Sequence, residues 1–353
     1  MILLLPLLTC MAVVAWNVWR WPAVRGRGES GPASIAVLIP ARNEEANIAG
    51  CLDSVTAQPG VAEILVYDDH SSDATREMVA ARTRCDARIR LAETKTLPSG
   101  WCGKNFACWQ LAAQSDSEWL LFLDADARLS PGAVAGMLAE CRARSASFLS
   151  CWPKLEMRGF WEKLLMPMLN FVVFTVYPAP LSLKRPDASL GLAHGACILV
   201  SRDAYARVEG HAAVAAEIFE DTCLARLWRE RGERSICLDG RPVVRVRMYD
   251  GVREIWLGFR KNFRSAFRTP FSFWLFLAMH AVFFLGPFLA GSPAALVILA
   301  ARLLLALRFR HPLWSVLLHP FAECFLLALG ISSWWAFRSG SGVEWKGRRY
   351  QHT

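Results

Sequence analysis

The chain has 353 residues, 54% hydrophobic and 20% charged, which excludes a disordered polypeptide and exceeds one ordinary domain. Lys and Arg number 40 against 31 Asp and Glu, a net charge of +9 that fits anionic lipid or an anionic substrate. The 11 cysteines are odd in number and form no C-x-x-C pair, which argues against a disulfide framework or zinc ribbon and for reduced, mostly buried thiols in a cytosolic environment.

From residue 2 to residue 18 nearly every position is apolar; no charge precedes Arg20, and Arg25 and Arg27 come soon after it. Neither a basic n-region nor a small-residue cleavage site is present, so residues 1–20 read as an uncleaved anchor. The arginines place the chain beyond them in the cytoplasm. Residues 25–32, rich in Gly and charge, read as a linker.

Between residues 33 and 268 short β-branched runs alternate with stretches of helical length. Strands are expected at 35–39, 63–67, 89–92, 119–123, 147–151 and 196–200, with helices at 45–56, 73–84, 105–113 and 131–142. That alternation predicts an α/β domain with a mostly parallel sheet, covered on both faces and binding ligands at the carboxyl ends of its strands.

Residues 160–177 and 252–267 combine Trp, Phe and Leu with Lys or Arg. This pattern fits helices lying at a membrane surface and equally fits amphipathic core helices; their place beside apolar spans favours the first. Residues 271–337 hold three apolar stretches, 271–290, 293–307 and 312–337, the last interrupted by His319, Pro320 and Glu323. Three full crossings would put the basic tail, 338–353, outside, whereas Arg338, Lys346, Arg348 and Arg349 favour the cytoplasmic side. A broken or re-entrant third stretch removes that conflict. The expected location is the inner membrane, multi-pass, with the α/β domain cytoplasmic. Basic residues gather beside apolar spans and form no stripe interleaved with aromatics, so no nucleic-acid partner is expected.

Chemistry concentrates at the ends of the predicted strands. The first runs into Pro40-Ala41-Arg42-Asn43-Glu44 and the second into Asp68-Asp69-His70-Ser71-Ser72-Asp73. Their side chains can meet a nucleotide, while Asn43, Ser72 and Asp73 are also ordinary helix caps. The fourth strand runs into Asp124-Ala125-Asp126, whose hard carboxylate oxygens can hold Mg2+ or Mn2+ against a diphosphate; two acids in a surface turn are also commonplace. Lys104 follows Gly100-Trp101-Cys102-Gly103, which is no Walker A loop, yet at a helix start it can meet a phosphate or simply be solvated. Glu220-Asp221 opens a helix through Leu224, Leu227 and Trp228, where acids cap and complement the dipole or supply a base. His194-Gly195 precedes the last strand and lines the acceptor side or is structural.

Taken in order, Pro40-Ala41-Arg42-Asn43-Glu44, Asp68-Asp69-x-Ser71-x-Asp73, Asp124-x-Asp126 and Glu220-Asp221 resemble glycosyltransferase family 2, inverting enzymes of GT-A fold. Gly100-Trp101-x-Gly103-Lys104 and Trp345-Lys346-Gly347-Arg348-x-Tyr350 are similar to its membrane-bound branch, which includes carotenoid glycosyltransferases and hopanoid-associated proteins. The resemblance implies a UDP-sugar donor, with Ala41, Arg42, Glu44, Asp68 and Asp69 on the uridine side. It implies Lys104, Arg247 and Lys261 toward the diphosphate, and Asp124 and Asp126 toward the nucleotide and a Mg2+ or Mn2+ ion. Asp221, with Glu220 beside it, would be the base, and a membrane lipid of carotenoid, hopanoid or polyprenyl type the acceptor. The Q-x-x-R-W motif of processive members is missing, which disfavours a polysaccharide synthase; a catalytically silent lipid-binding scaffold is the other alternative.

Overall fold

The computed structural model describes residues 4–25 and 33–339, and the backbone of two paired strands, Val343–Trp345 and Arg348–Tyr350. Most of the expected linker (26–32), Lys346 and the end of the tail lie outside the described residues. The chain divides into two compact units. One comprises Pro22–Glu156 and Leu181–Met248; the other comprises Met1–Trp21, Met157–Pro180 and Tyr249–Thr353. The stretches expected to lie at a membrane surface thus group mainly with the terminal helices.

The first unit is α/β. Its strands are β1 (Ile35–Ala41), β2 (Val61–Asp68), β3 (Ile89–Leu91), β4 (Trp119–Leu123), β5 (Ala127–Leu129), β6 (Phe148–Trp152), β7 (Lys154–Leu155), β8 (Cys197–Ser201), β9 (Ser235–Asp239) and β10 (Val244–Val246). Seven of them form one sheet in the order β3-β2-β1-β4-β8-β6-β9, parallel except that β8 runs against both β4 and β6. Residues of period two feed opposite cores. Val37, Ile39, Ile64, Val66, Leu121 and Leu123 pack into one; Ala36, Leu38, Leu65, Tyr67, Leu120 and Phe122 pack into the other. Burying each large apolar side chain stabilises the unit by about 1.5–3 kcal/mol, and sandwiching on both faces explains why these strands are apolar without alternation.

All six expected strands are present within one or two residues, and the four expected helices appear as Ile48–Thr56, Thr75–Thr83, Gly103–Ala113 and Ala133–Ala143. Sequence reading missed β5, β7, β9 and β10. β5, β10 and β7 form a separate three-stranded sheet, and at two or three residues each they are too short to carry a periodic signal.

The second unit is helical. Leu4–Arg20 spans 17 residues, with Asn17 buried and donating to the carbonyls of Phe174 (3.0 Å) and Tyr177 (2.8 Å). Two helices, Pro270–Leu289 and His319–Arg338, are long and apolar enough to cross a membrane by length and composition. Ala294–Phe309, with 16 residues, contains the buried Arg302. The third apolar stretch was expected to be interrupted by His319, Pro320 and Glu323; all three instead lie within the continuous helix His319–Arg338, which a short helix, Trp314–Leu317, precedes. Pro320 sits in the first turn of His319–Arg338, where its missing N–H costs nothing.

Candidate active site

Strand register brings the predicted residues to one edge of the large sheet. In β1 and β2 the pairing sets Pro40 beside Tyr67 and Ala41 beside Asp68. Asn43 and His70, just beyond, both take left-handed backbone with φ of 52° and 54°, which Asn and His tolerate better than most residues. The two strand ends are laced together. Asn43 N donates to Ser71 Oγ (3.0 Å), Ser72 N to Asn43 Oδ1 (2.9 Å), Glu44 N to Thr75 Oγ1 (2.8 Å) and Glu45 N to Asp73 Oδ2 (3.0 Å). Asn43 and Ser72 therefore link one loop to the other, while Asp73 also accepts from Thr75 N (3.0 Å), in the manner of a cap.

Arg42 ties its loop to the neighbouring one by donating to the carbonyls of Asp69 (2.5 Å) and His70 (3.3 Å). Glu44 Oε2 accepts from Asn47 Nδ2 (2.8 Å). Asp68 is 3% exposed; Arg76 lies 3.6 Å from Oδ2, while Oδ1 is buried and accepts no hydrogen bond. An unsatisfied buried carboxylate oxygen costs stability, and an imide N–H of a base would satisfy it.

The carboxyl end of β4 meets the amino end of β8, because the two run antiparallel with Leu123 opposite Cys197. Asp124 N donates to Ala196 O (3.0 Å), which sets Asp124 next to the turn at His194-Gly195. Lys104, in the first turn of Gly103–Ala113, reaches this point: Nζ lies 2.8 Å from Asp124 Oδ1, 3.1 Å from Asp124 Oδ2 and 3.2 Å from Glu220 Oε1. Burial opposes the lysine's charge, but the Asp124 and Glu220 carboxylates outweigh it and hold the ammonium well above its ordinary pKa. Lys104 is therefore a fixed cation where a diphosphate's charge could be received.

Asp221 follows Glu220 in the first turn of Glu220–Glu230. Its Oδ2 accepts from Gly195 N (2.7 Å) and its Oδ1 from Thr222 N (2.6 Å). Thr222 in turn donates from Oγ1 to Ala193 O (3.2 Å), joining the helix start to the same turn. Burial first, then the neighbouring Glu220 charge, pushes the Asp221 carboxyl up to about 7; Lys104 and the two N–H donors pull the other way without cancelling it. A carboxylate poised there can take a proton near neutral pH. A Cβ at Gly195 would stand 3.0 Å from Lys104 Nζ and 3.3 Å from Asp221 Oδ2, so those side-chain ends would have to give by a few tenths of an ångström, and 3.5 Å from Glu220 Oε1, an ordinary contact.

His194 is neutral. Burial drives it down to about 4, Nδ1 accepts from Ala196 N (3.3 Å) and its ring meets Trp152 edge to face. Its backbone N–H and carbonyl both bond Ser150 Oγ, a structural role in forming the turn.

Asp124 and Asp126 leave one turn, pinned from behind by Arg128. That guanidinium donates to the carbonyls of Ala125 (3.1 Å), Ala127 (2.8 Å) and Asn47 (2.8 Å). Among the described residues no group of three or more His, Cys, Asp or Glu gathers to hold a metal by itself. Two hard carboxylates in one turn nevertheless fit Mg2+ or Mn2+, which commonly take one or two carboxylates and complete their shell with phosphate oxygens and water. Arg247 leaves β10 one residue past the Val246–Ala127 pair. Lys261 belongs to the other unit, on Gly251–Phe263. The Lys104–Glu220 pair, the Gly195 N–H and Arg128 were missed by sequence reading. They depend on strand register, for which the sequence offers no local signal.

Residues 36–208 match the family model for glycosyl transferase family 2. The 4,4'-diaponeurosporenoate glycosyltransferase of Staphylococcus aureus (strain USA300) is 25% identical over 343 residues, 90% of this chain and 88% of that protein. The protein of the same description from Staphylococcus haemolyticus (strain JCSC1435) is 28% identical over 233 residues, 65% of this chain but only 60% of that protein. Among solved structures, the mannosyltransferase PcManGT from Pyrobaculum calidifontis, in complex with GDP-Man and Mn2+, is similar with TM-score 0.56, 19% identity and 94% of each chain covered. That likeness concerns the fold, and the α/β unit has the GT-A architecture expected from the sequence.

Proposed function

We propose that this chain, a glycosyltransferase carrying a family 2 domain, moves a sugar from a UDP-sugar to a hydroxyl or carboxyl of an apolar membrane lipid, with inversion at the anomeric carbon. The observation that carries this reading is the convergence of Asp124, Lys104, Glu220 and Asp221 around Gly195. It brings a fixed cation for a leaving diphosphate within reach of a carboxylate able to accept a proton. Asp68 Oδ1 would accept the base imide N–H, with Ala41, Arg42, Glu44 and Asp69 around it. Lys104 and Arg247 would receive the diphosphate.

With a hydroxyl acceptor, Asp221 would take the O–H proton as that oxygen bonds to the anomeric carbon and the carbon–oxygen bond to UDP breaks, the electron pair leaving with the diphosphate; a carboxyl acceptor, already ionised near neutral pH, would attack as the carboxylate with no proton to remove. A Mg2+ or Mn2+ ion held by Asp124 and Asp126 would neutralise charge on that leaving group. The acceptor class rests on relatives named for a carotenoid acid. The two apolar helices would keep the enzyme at the membrane where such a lipid resides.

The test combines purified full-length chain with UDP-sugars, a divalent cation and extracted lipids. UDP should appear together with a glycosylated carotenoid, and with a hydroxyl acceptor Asp221→Asn should lower turnover by roughly 10²–10⁴-fold while UDP binding persists. Full turnover by Asp221→Asn would remove Asp221 as the base. Transfer only to a hopanoid or polyprenyl lipid would move the acceptor assignment and leave the chemistry standing.

A further inference from the structure

Asn105 sits beside Lys104 in the first turn of Gly103–Ala113 and is 1% exposed. Its Nδ2 donates to the carbonyls of Val214 (2.8 Å), Ala215 (3.2 Å) and Glu217 (2.9 Å). Cys102 adds an N–H to Ala215 O (2.7 Å) and a thiol contact to Ala216 O (3.4 Å). Asn105 Oδ1 is buried and accepts no hydrogen bond, so the side chain acts here as a donor alone. The loop it holds, 214–217, enters the helix whose first residues are Glu220 and Asp221. Glu220 then closes back on Lys104 at 3.2 Å. Lys104, Asn105, the loop and Glu220 form a closed circuit, joined on one side by the Asn105 amide with Cys102 beside it and on the other by the ion pair.

We infer that Asn105 is a positioning residue for sugar transfer, fixing the acidic pair against Lys104 by holding the loop that precedes the pair. A loop has many backbone conformations, and ordering it costs conformational entropy at every residue. Concentrating three carbonyls on one buried amide offsets part of that cost at the place where a displacement would carry the base away from its acceptor. Misplacement of about 1 Å can lower turnover on the order of 10²-fold. This inference rests on the reading of Asp221 as the base.

Two variants of the full chain test it from opposite sides. Asn105→Ser keeps a short donor, and Ala215→Gly loosens the loop while leaving Asn105 and the Ala215 carbonyl it donates to in place. Each is assayed well below its own melting temperature. Both should lower kcat by roughly tenfold or more with donor KM changed less than about threefold. Both should also move the acid limb of kcat/KM to lower pH, because water reaching Asp221 relieves the burial that raises it. A lowered melting temperature with wild-type kcat and an unmoved acid limb in either folded variant would mean a purely structural residue and overturn the proposal. Asp221→Asn measured in the same series separates the two readings. An inert Asp221→Asn beside an unaltered Asn105→Ser refutes the clamp alone, whereas an active Asp221→Asn refutes the base.

Discussion

Glycine 195 shows how little room the chemistry leaves. Its backbone N–H holds Asp221 at 2.7 Å, and the space where a Cβ would stand is shared by the charged ends of Lys104, Asp221 and Glu220. Gly195→Ala must displace at least one of them by a few tenths of an ångström. The expected outcome is a kcat lowered by roughly tenfold or more, with thermal stability changed by less than about 1 kcal/mol because the groups displaced are partly solvated side chains. Steady-state kinetics beside a melting curve checks both. At this scale the sequence was legible where chemistry is local: Asp124, Asp126, Glu220 and Asp221 announced themselves as acids at the ends or starts of elements. Their pairing with Lys104 was not legible, because Lys104 and Glu220 meet only through the path of the sheet.

At the level of elements, the helix Glu220–Glu230 matters for what it anchors at both ends. Its start carries the acidic pair, and near its end the buried Arg229 holds a loop and a strand. Arg229 donates to the carbonyls of Ser182 (3.0 Å), Arg185 (2.9 Å), Asp187 (3.2 Å) and Ser235 (2.7 Å). Arg229→Met would fill similar space and leave those carbonyls without their donor, so unfolding free energy should fall by roughly 3 kcal/mol or more. Chemical denaturation reads this directly, and a loss under about 0.5 kcal/mol would contradict the anchoring role. The strands that bear the site, β1, β2 and β4, were visible as apolar runs with polar ends. The small sheet of β5, β10 and β7 was not, since two or three residues of mixed burial look like loop. Yet Arg247 directly follows that sheet's Val246–Ala127 pair, and this is why Arg247 could be named from the sequence but not placed.

Over the whole chain, the large sheet, the acids and Lys104 all belong to the α/β unit, while the two helices able to cross a membrane belong to the other. Composition anticipated an α/β part and an apolar helical part, whereas Pro320, expected to interrupt the last apolar stretch, sits at the start of a continuous helix. Segment membership was less legible: residues 157–180 sit in sequence between strands of the α/β unit but pack with the helical one, a long-range choice that periodicity does not encode. The central claim is that residues far apart in the chain make one catalytic group with Asp221 as its proton acceptor. Its most direct test is the pH dependence of kcat/KM for the full-length enzyme in lipid vesicles, with wild type and Glu220→Gln compared. Because Asp221 is held near pH 7 in the fold, activity should rise as pH increases through about 7. Removing the Glu220 charge, one of the causes of that elevation, should shift the rising limb to lower pH. A wild-type limb in the ordinary carboxylate range near pH 4, or one that Glu220→Gln leaves in place, would contradict it.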